Sequence, residues 1–258
     1  MPEGDTVYRV AQQQHRALAG QVLTGFELRV PRFAAADLAG QTVHEVVSRG
    51  KHLLHRIGDY TLHSHLKMEG MWRVFAPGEP WRRPAFHARA VLSAEGVISV
   101  GFELGITELV RRDEEATVVG HLGPDLLGPD WDAAEAMRRL TASPDTAVFL
   151  ALLDQRNLAG IGNEFANELC FVRGLLPTRP VSEVHDLPAL IKLAERMLHA
   201  NKARTTRSST GDLRPGRTSW VHGRRGLPCR RCGARLLGAE LGPPLQLRQV
   251  AWCPHCQR

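Results

Sequence analysis

Two cysteine pairs near the C-terminus constrain this fold more than any other feature. They stand as Cys229-x2-Cys232 and Cys253-x2-Cys256, with twenty residues between the pairs. Two such knuckles at this separation read as a tetrahedral zinc site, each giving two thiolates, with a β-hairpin as the spacer. A redox CxxC would want a βαβ setting, and disulfides are disfavoured in a cytosolic chain. All four donors are cysteines, so no coordination position stays open, and the one expected Zn(2+) is structural rather than catalytic. The fifth cysteine, Cys170, sits in the apolar stretch Glu168-Leu-Cys-Phe-Val172 and is expected to be a buried core thiol.

Charge is distributed unevenly. Residues 201–235 hold ten Lys or Arg and one acid, Asp212, whereas the whole chain has 33 bases and 27 acids. Outside that stretch acids outnumber bases, so the excess positive charge is C-terminal, the footprint expected for phosphate backbones. Only four of the 33 are Lys, and Arg is the better residue for bidentate phosphate contacts. With 258 residues and 43% hydrophobic content the chain can build real cores, which excludes a disordered protein. Its longest apolar run, Ala147 to Leu153, is far short of the roughly 18 residues of a membrane helix. No charged-then-apolar leader is read at the start, so a soluble, cytoplasmic protein is expected.

The chain reads as two halves of different periodicity. Asp5 or Thr6 can cap a first helix whose apolar positions Val7, Val10, Ala11 and Leu18 repeat at helical spacing, with Gly20 as its stop. Short β-rich segments follow: Val22–Val30, Thr42–Val47, His52–Ile57, Tyr60–His65, Met71–Phe75, Phe86–Leu92, Val97–Phe102 and Ile106–Val110. Such spacing suggests a sandwich or barrel. The Gly-Pro-rich segment 121–131 reads as a linker. Helices are expected at about 132–140, 145–154, 163–172 and 186–200, and Gly160-Ile-Gly-Asn163 places Asn163 at a helix start, where backbone N–H groups can hold an anion.

Seven blocks, in order along nearly the whole chain, then add up to a family. They are Met1-Pro-Glu-Gly4, Ser48-Arg-Gly-Lys-His-Leu-Leu54, His65-Leu-Lys-Met-Glu-Gly70 and His121-Leu-Gly-Pro-Asp125. Leu153-Asp-Gln-Arg156 with Gly160-Ile-Gly-Asn163, Val221-His-Gly-Arg-Arg-Gly-Leu-Pro-Cys229, and Arg248 through Gln257 complete them. The chain resembles the formamidopyrimidine-DNA glycosylase / endonuclease VIII family, and its endonuclease VIII branch most. The resemblance implies an α+β protein: an N-terminal β-sandwich catalytic domain over 1–120, the linker, a helix–two-turns–helix DNA-binding domain over 132–220, and a zinc finger over 221–258. It implies a monomer that excises oxidised bases from damaged DNA, double-stranded or in single-stranded and bubble forms, and then cleaves the strand.

The implied chemistry has a physical reading residue by residue. Removal of Met1 would leave Pro2 with a secondary amine whose pKa lies within a few units of neutrality. That amine can attack C1′, expel the base and form an iminium which cannot lose its charge, a lasting electron sink for β,δ-elimination. By resemblance Glu3 is the acid/base beside it, Lys51 contacts lesion and phosphate, Arg248 grips phosphates flanking the flipped nucleotide, and Arg156 and Asn163 bind phosphate. Flipping a base costs a few kcal/mol of stacking, which an apolar wedge offsets in part, and Met68 is the wedge candidate.

The sequence departs from the family pattern at three places. Thr6 stands where many relatives carry a second acid. Gly101-Phe-Glu-Leu-Gly-Ile-Thr107 replaces the Arg-Arg-Phe loop of the purine-directed branch, which favours oxidised pyrimidines, and Gln249 and Val250 replace small hydroxyl residues. Two other classes compete. One is a damaged-DNA-binding module that kept the scaffold and lost the chemistry. The other is a metal-dependent hydrolase using His52, His55, His63, His65 and His87, which no HExxH motif or evident carboxylate partner supports.

Overall fold

Residues 4 to 18 coil because Val7, Ala11, Gln14 and Leu18 fall on one buried face of α1 (Gly4–Leu18). The computed structural model describes residues 2–258; Met1, on whose removal the chemistry expected of Pro2 depends, lies outside them. The helix is entered at Glu3, its N-cap, and neither Asp5 nor Thr6 caps it: both lie inside the first turn, and Asp5 is 1% exposed. The chain divides into two units, one running up to His121 and containing α1, the other from Leu122 to Arg258.

The first unit is all antiparallel. Strands β1 (Leu23–Leu28), β2 (Val43–Arg49), β3 (His52–Ile57), β4 (Tyr60–His65), β5 (Met71–Phe75), β6 (Ala88–Ala94), β7 (Val97–Phe102) and β8 (Ile106–Arg111) form two sheets, ordered β1-β6-β7-β5 and β2-β3-β4-β8. Leu53 and Leu62 from one sheet, Leu28, Leu92 and Trp72 from the other, and Val7 and Ala11 of α1 share one core, which makes this a sandwich rather than a barrel. Phe86 was expected in a strand. It lies instead in a one-turn 3-10 helix led by Pro84, 74% exposed. His55 is buried in the core against Trp72, and neither ring nitrogen has a partner among the described residues. Burial holds it neutral, pushing it down to about 3. The short helix α2 (Ala116–Val119) ends this unit.

The second unit is helical, with a two-stranded ribbon. It comprises α3 (Ala133–Thr141), α4 (Val148–Leu153), α5 (Asn163–Arg173) and α6 (Leu187–Asn201), then β9 (Leu237–Leu241) antiparallel to β10 (Arg248–Trp252). Asp132 and Asp186 cap α3 and α6 with side-chain oxygens on first-turn amides, and Gly174 closes α5 at φ 70°. The expected helix at 145–154 is shorter because the Val148 N–H donates to Arg179 O and Ala147 bridges Pro180. Phe149, Phe165 and Leu190 centre the core, and Val250 of β10 belongs to it. No helix among the described residues is long and apolar enough to cross a membrane.

Candidate nucleic-acid interface and metal centre

The first unit carries Pro2, Glu3, Lys51 and Met68. Pro2 is half-buried immediately before α1, and Glu3 is 0% exposed at its N-cap. Lys51 occupies the two-residue turn of the β2–β3 hairpin, closed by the pair Arg49↔His52. Gly50 at φ 58° supplies the left-handed position such a turn needs first, and this sets Lys51 at the hairpin tip.

Met68 stands in the β4–β5 turn, 62% exposed, so it is not a core methionine. Its loop is tightly held. Lys67 sits at φ 52° with its N–H donated to His65 Nδ1 at 2.9 Å, and the Gly70 N–H donates to Leu66 O at 2.9 Å. A Cβ on Gly70 would lie 2.4 Å from that oxygen.

Histidines gather beside Lys51, and they do have a carboxylate partner, contrary to the sequence reading. His63 Nδ1 lies 3.0 Å from Glu108 Oε2, and His63 Nε2 lies 2.8 Å from His52 Nδ1. Glu108 arrives from β8, paired directly opposite His63. Among the described residues, the only group of three or more His, Cys, Asp or Glu placed to hold a metal ion is the four cysteines.

The second unit carries Arg156, Asn163 and Arg248. Arg156 is exposed but committed to its neighbour: Asp154 accepts from its backbone N–H and its guanidinium, the latter at 2.6 Å, and is held below the usual carboxylate range by it. Asn163 is the first residue of α5 rather than its cap, and its Nδ2 donates to Gln249 O at 3.0 Å. Asn163 Oδ1 is buried with no partner among the described residues. Arg248 is the exposed first residue of β10. An open cavity of about 420 Å³ is lined by Asn163, Asn167, His222, Arg225 and Gln249.

Two α5 residues to which the sequence reading gives no role hold this region together. Asn167 Oδ1 accepts from the Ala251 N–H at 2.7 Å, and its Nδ2 donates to Gln249 O at 3.2 Å and to Asn163 O at 2.7 Å. The side-chain amide thereby pairs the outer edge of β10 as a third strand would. Glu168, 0% exposed, accepts from Ser209 Oγ and from the N–H groups of Trp220, Val221 and His222 at 2.7, 2.9 and 2.8 Å. Asn167→Leu keeps the volume but orphans the buried Ala251 N–H, which costs about 1–3 kcal/mol. A drop in thermal stability of this order, measured by calorimetry, is expected; an unchanged midpoint would show that β10 is held without Asn167.

The basic stretch is less of a phosphate footprint than its count suggests. Arg207 pairs with Glu164 at 2.8 Å and lies over the Phe165 ring, Arg214 pairs with Asp212, and Arg231 lies 4.5 Å from the Phe171 ring centre. Arg224 donates to Trp220 O and Pro228 O, and Arg230 to Ser219 O and Gly216 O. Five of the ten cations thus serve internal contacts.

The four cysteines converge. All four Sγ atoms lie within 4.8 Å of one another, with Cys229 to Cys256 at 4.0 Å and Cys232 to Cys253 at 3.4 Å. Tetrahedral thiolate ligation at about 2.3 Å per bond requires edges of about 3.8 Å, so the set fits a metal ion. Cys170 is 0% exposed, and burial pushes its thiol up to about 12, as befits an inert core residue.

A sandwich behind an N-terminal helix, a helical unit, and a four-cysteine ribbon define the architecture of a DNA-glycosylase fold. MutM bound to DNA with carbocyclic 8-oxo-G superposes at a TM-score of 0.79, with 24% identity and full coverage of both chains. The Lactococcus lactis formamidopyrimidine-DNA glycosylase bound to DNA with an AP site gives 0.79 at 23% identity over 99% of each chain. Residues 1–107 match the formamidopyrimidine-DNA glycosylase N-terminal domain. "Probable endonuclease 8 2" of Streptomyces coelicolor is 50% identical over 264 residues, covering 100% of this chain and 94% of that protein. The "DNA-(apurinic or apyrimidinic site) lyase Nei2" of Mycolicibacterium smegmatis is 48% identical over 257 residues, covering 100% and 99%. The chain belongs to the formamidopyrimidine-DNA glycosylase / endonuclease VIII family, on its endonuclease VIII-like side.

Proposed function

We propose that the chain is a bifunctional DNA glycosylase/AP lyase of base excision repair that acts on oxidised bases, pyrimidines first. The observation that carries this is the full-length match to endonuclease 8 relatives at about half identity, in a chain that keeps Pro2, Glu3 and Lys51 together. The relatives' names supply the reaction class, and the local geometry suits it.

In the proposed mechanism the Pro2 amine forms a bond to C1′ while the C1′–N bond to the damaged base breaks, and the departing base takes up a proton. Glu3 handles the proton traffic at the sugar ring oxygen. The Pro2 nitrogen gives up its N–H proton, O4′ takes one up as the C1′–O4′ bond breaks, and the ring-opened iminium so formed draws electrons from C2′. Loss of a C2′ proton expels the 3′-phosphate, and a second elimination expels the 5′-phosphate. Lys51, Arg156, Asn163 and Arg248 hold the backbone, and Met68 fills the space the flipped nucleotide leaves. One Zn(2+) held by Cys229, Cys232, Cys253 and Cys256 stabilises the ribbon that carries Arg248 and takes no part in the chemistry. The domain limits follow: catalysis in 1–120, a linker over 121–131, helix–two-turns–helix DNA binding in 132–220, and a zinc finger in 221–258. A cytoplasmic monomer is the setting.

The pyrimidine preference rests on the β7–β8 connection. Glu103 there adopts φ 48°, its carboxylate engaged by Arg83 and by His87 at 2.7 Å, while Leu104 is 7% exposed. A short clamped turn of this kind leaves no projecting Arg-Arg-Phe loop. Strand incision of matched duplexes tests the proposal. Thymine glycol is expected to be cut with phosphates on both flanking ends, and faster than 8-oxoguanine opposite cytosine. Tight binding of both with neither cut would point to the binding module instead.

A further inference from the structure

One corner of the β2-β3-β4-β8 sheet collects nitrogen side chains that the reaction above does not use. Register places His52 opposite His65 and His63 opposite Glu108, and the two-residue period keeps all four on one face. The His52 ring stands edge-on to His65 at 4.9 Å and to His121 at 6.0 Å between centres. The groups that face His52 are His63 and His65 of β4, Lys67 of the β4–β5 turn and His121 beyond α2. Lys51 precedes it and faces His65. Glu108 is hydrogen-bonded to this set and reaches His52 through His63, and Glu115 acts on His63 from further off.

Hydrogen bonding fixes the sense of this chain. An ionised carboxylate only accepts, so His63 donates to Glu108 from Nδ1 and accepts at Nε2. His52 must then donate from Nδ1, which leaves its Nε2 bare. His65 accepts the Lys67 N–H at Nδ1 and so carries its own proton on Nε2. With no anion present, burial first and then the neighbouring His65, His63, His121 and Lys67 hold His52 down to about 3; burial, Lys67, Lys51 and His63 hold His65 down to about 4. Both are neutral at pH 7.

We propose that His52 is a further phosphate-binding residue of this protein, taking a proton on Nε2 from solvent as a DNA phosphate docks beside Lys51, with Glu108 and His63 as the relay that stabilises the imidazolium. One proton is taken up per duplex bound, Nε2–H donates to a phosphate oxygen, and no covalent bond to DNA changes. The proposal rests on the reading of the chain as a DNA enzyme. The sign follows from linkage: the complex holds more protons than the free protein, so affinity rises as pH falls.

Calorimetric titration with a duplex carrying a tetrahydrofuran abasic analogue, in two buffers of different ionisation enthalpy at pH 6.5 and 7.5, tests this. The expected result is net uptake approaching one proton, with affinity rising up to about tenfold per unit fall in pH. His52→Gln and Glu108→Gln are expected to abolish or sharply reduce the uptake while still binding the duplex. In the unaltered chain, nitrogen NMR of the His52 ring should show Nε2 gaining a proton on addition of duplex. Uptake absent in the unaltered chain would overturn the proposal. So would uptake that persists in His52→Gln, which would assign the proton to His65. Failure to bind the duplex at any pH would instead overturn the DNA-enzyme reading on which the proposal rests.

Discussion

Borohydride reduction of the Met1-free chain on a duplex with an abasic site is expected to trap a covalent protein–DNA adduct. The same chain retaining Met1 should give none, because the Pro2 nitrogen is then an amide and cannot attack C1′. This all-or-none contrast isolates the nucleophile without altering a single side chain. Glu3 separates the two half-reactions. Glu3→Gln keeps the shape of a residue that is 0% exposed at the helix N-cap, yet removes the proton donor. Excision of an intact damaged base should fall by about 10²- to 10⁴-fold, the usual weight of general acid–base catalysis. Trapping on a ready-made abasic site needs no base to leave and should survive far better. Equal losses on both substrates would show that Glu3 supports the fold or the nucleophile rather than base departure. An adduct formed by the Met1-retaining chain would remove the N-terminal mechanism altogether.

Cys253→Ser should have the second large effect. Cys253 is 0% exposed, its N–H donates to Gln257 Oε1 at 2.8 Å, and its sulfur belongs to the four-sulfur set. Structural zinc sites contribute on the order of 10–16 kcal/mol of apparent binding energy at neutral pH. Loss of one thiolate should therefore release the metal and loosen the ribbon whose second strand begins with Arg248. The expected readings are one zinc per chain in the parent and near none in the variant, with DNA affinity at least about tenfold weaker if one phosphate-gripping Arg is lost. A variant with full metal content and unchanged affinity would dismiss both the ligand set and the role of the ribbon.

Most of the architecture was legible because its signals are local. The strands His52–Ile57, Tyr60–His65, Met71–Phe75 and Val97–Phe102 have the expected limits, since alternation and flanking turn residues fix a strand without knowledge of its partners. The cysteine knuckles converge as their spacing required. Contacts between distant residues were not legible. Glu108 and His63 lie 45 positions apart and meet only through the β4–β8 register. Asn167 and Ala251 are 84 apart. Glu168 left one trace, an acid inside the apolar run ending at Val172, which a buried and fully hydrogen-bonded carboxylate explains. Helix entry at Glu3 rather than at Asp5 or Thr6 was missed because residues of the first turn resemble caps in composition.

The hold of α5 on the ribbon also fixes an order of assembly. Asn167 and Glu168 are synthesised long before Ser209, Trp220 and Ala251, the groups that satisfy them. Until those residues arrive, a carboxylate and an amide are exposed on a helix whose other neighbours are already burying apolar surface. Val250 is part of the helical core, and the Cys253 ligand follows three residues later. Completion of the helical core therefore requires β10, and with Cys253 three residues beyond Val250 the same last stretch of chain completes both the core and the four-cysteine set.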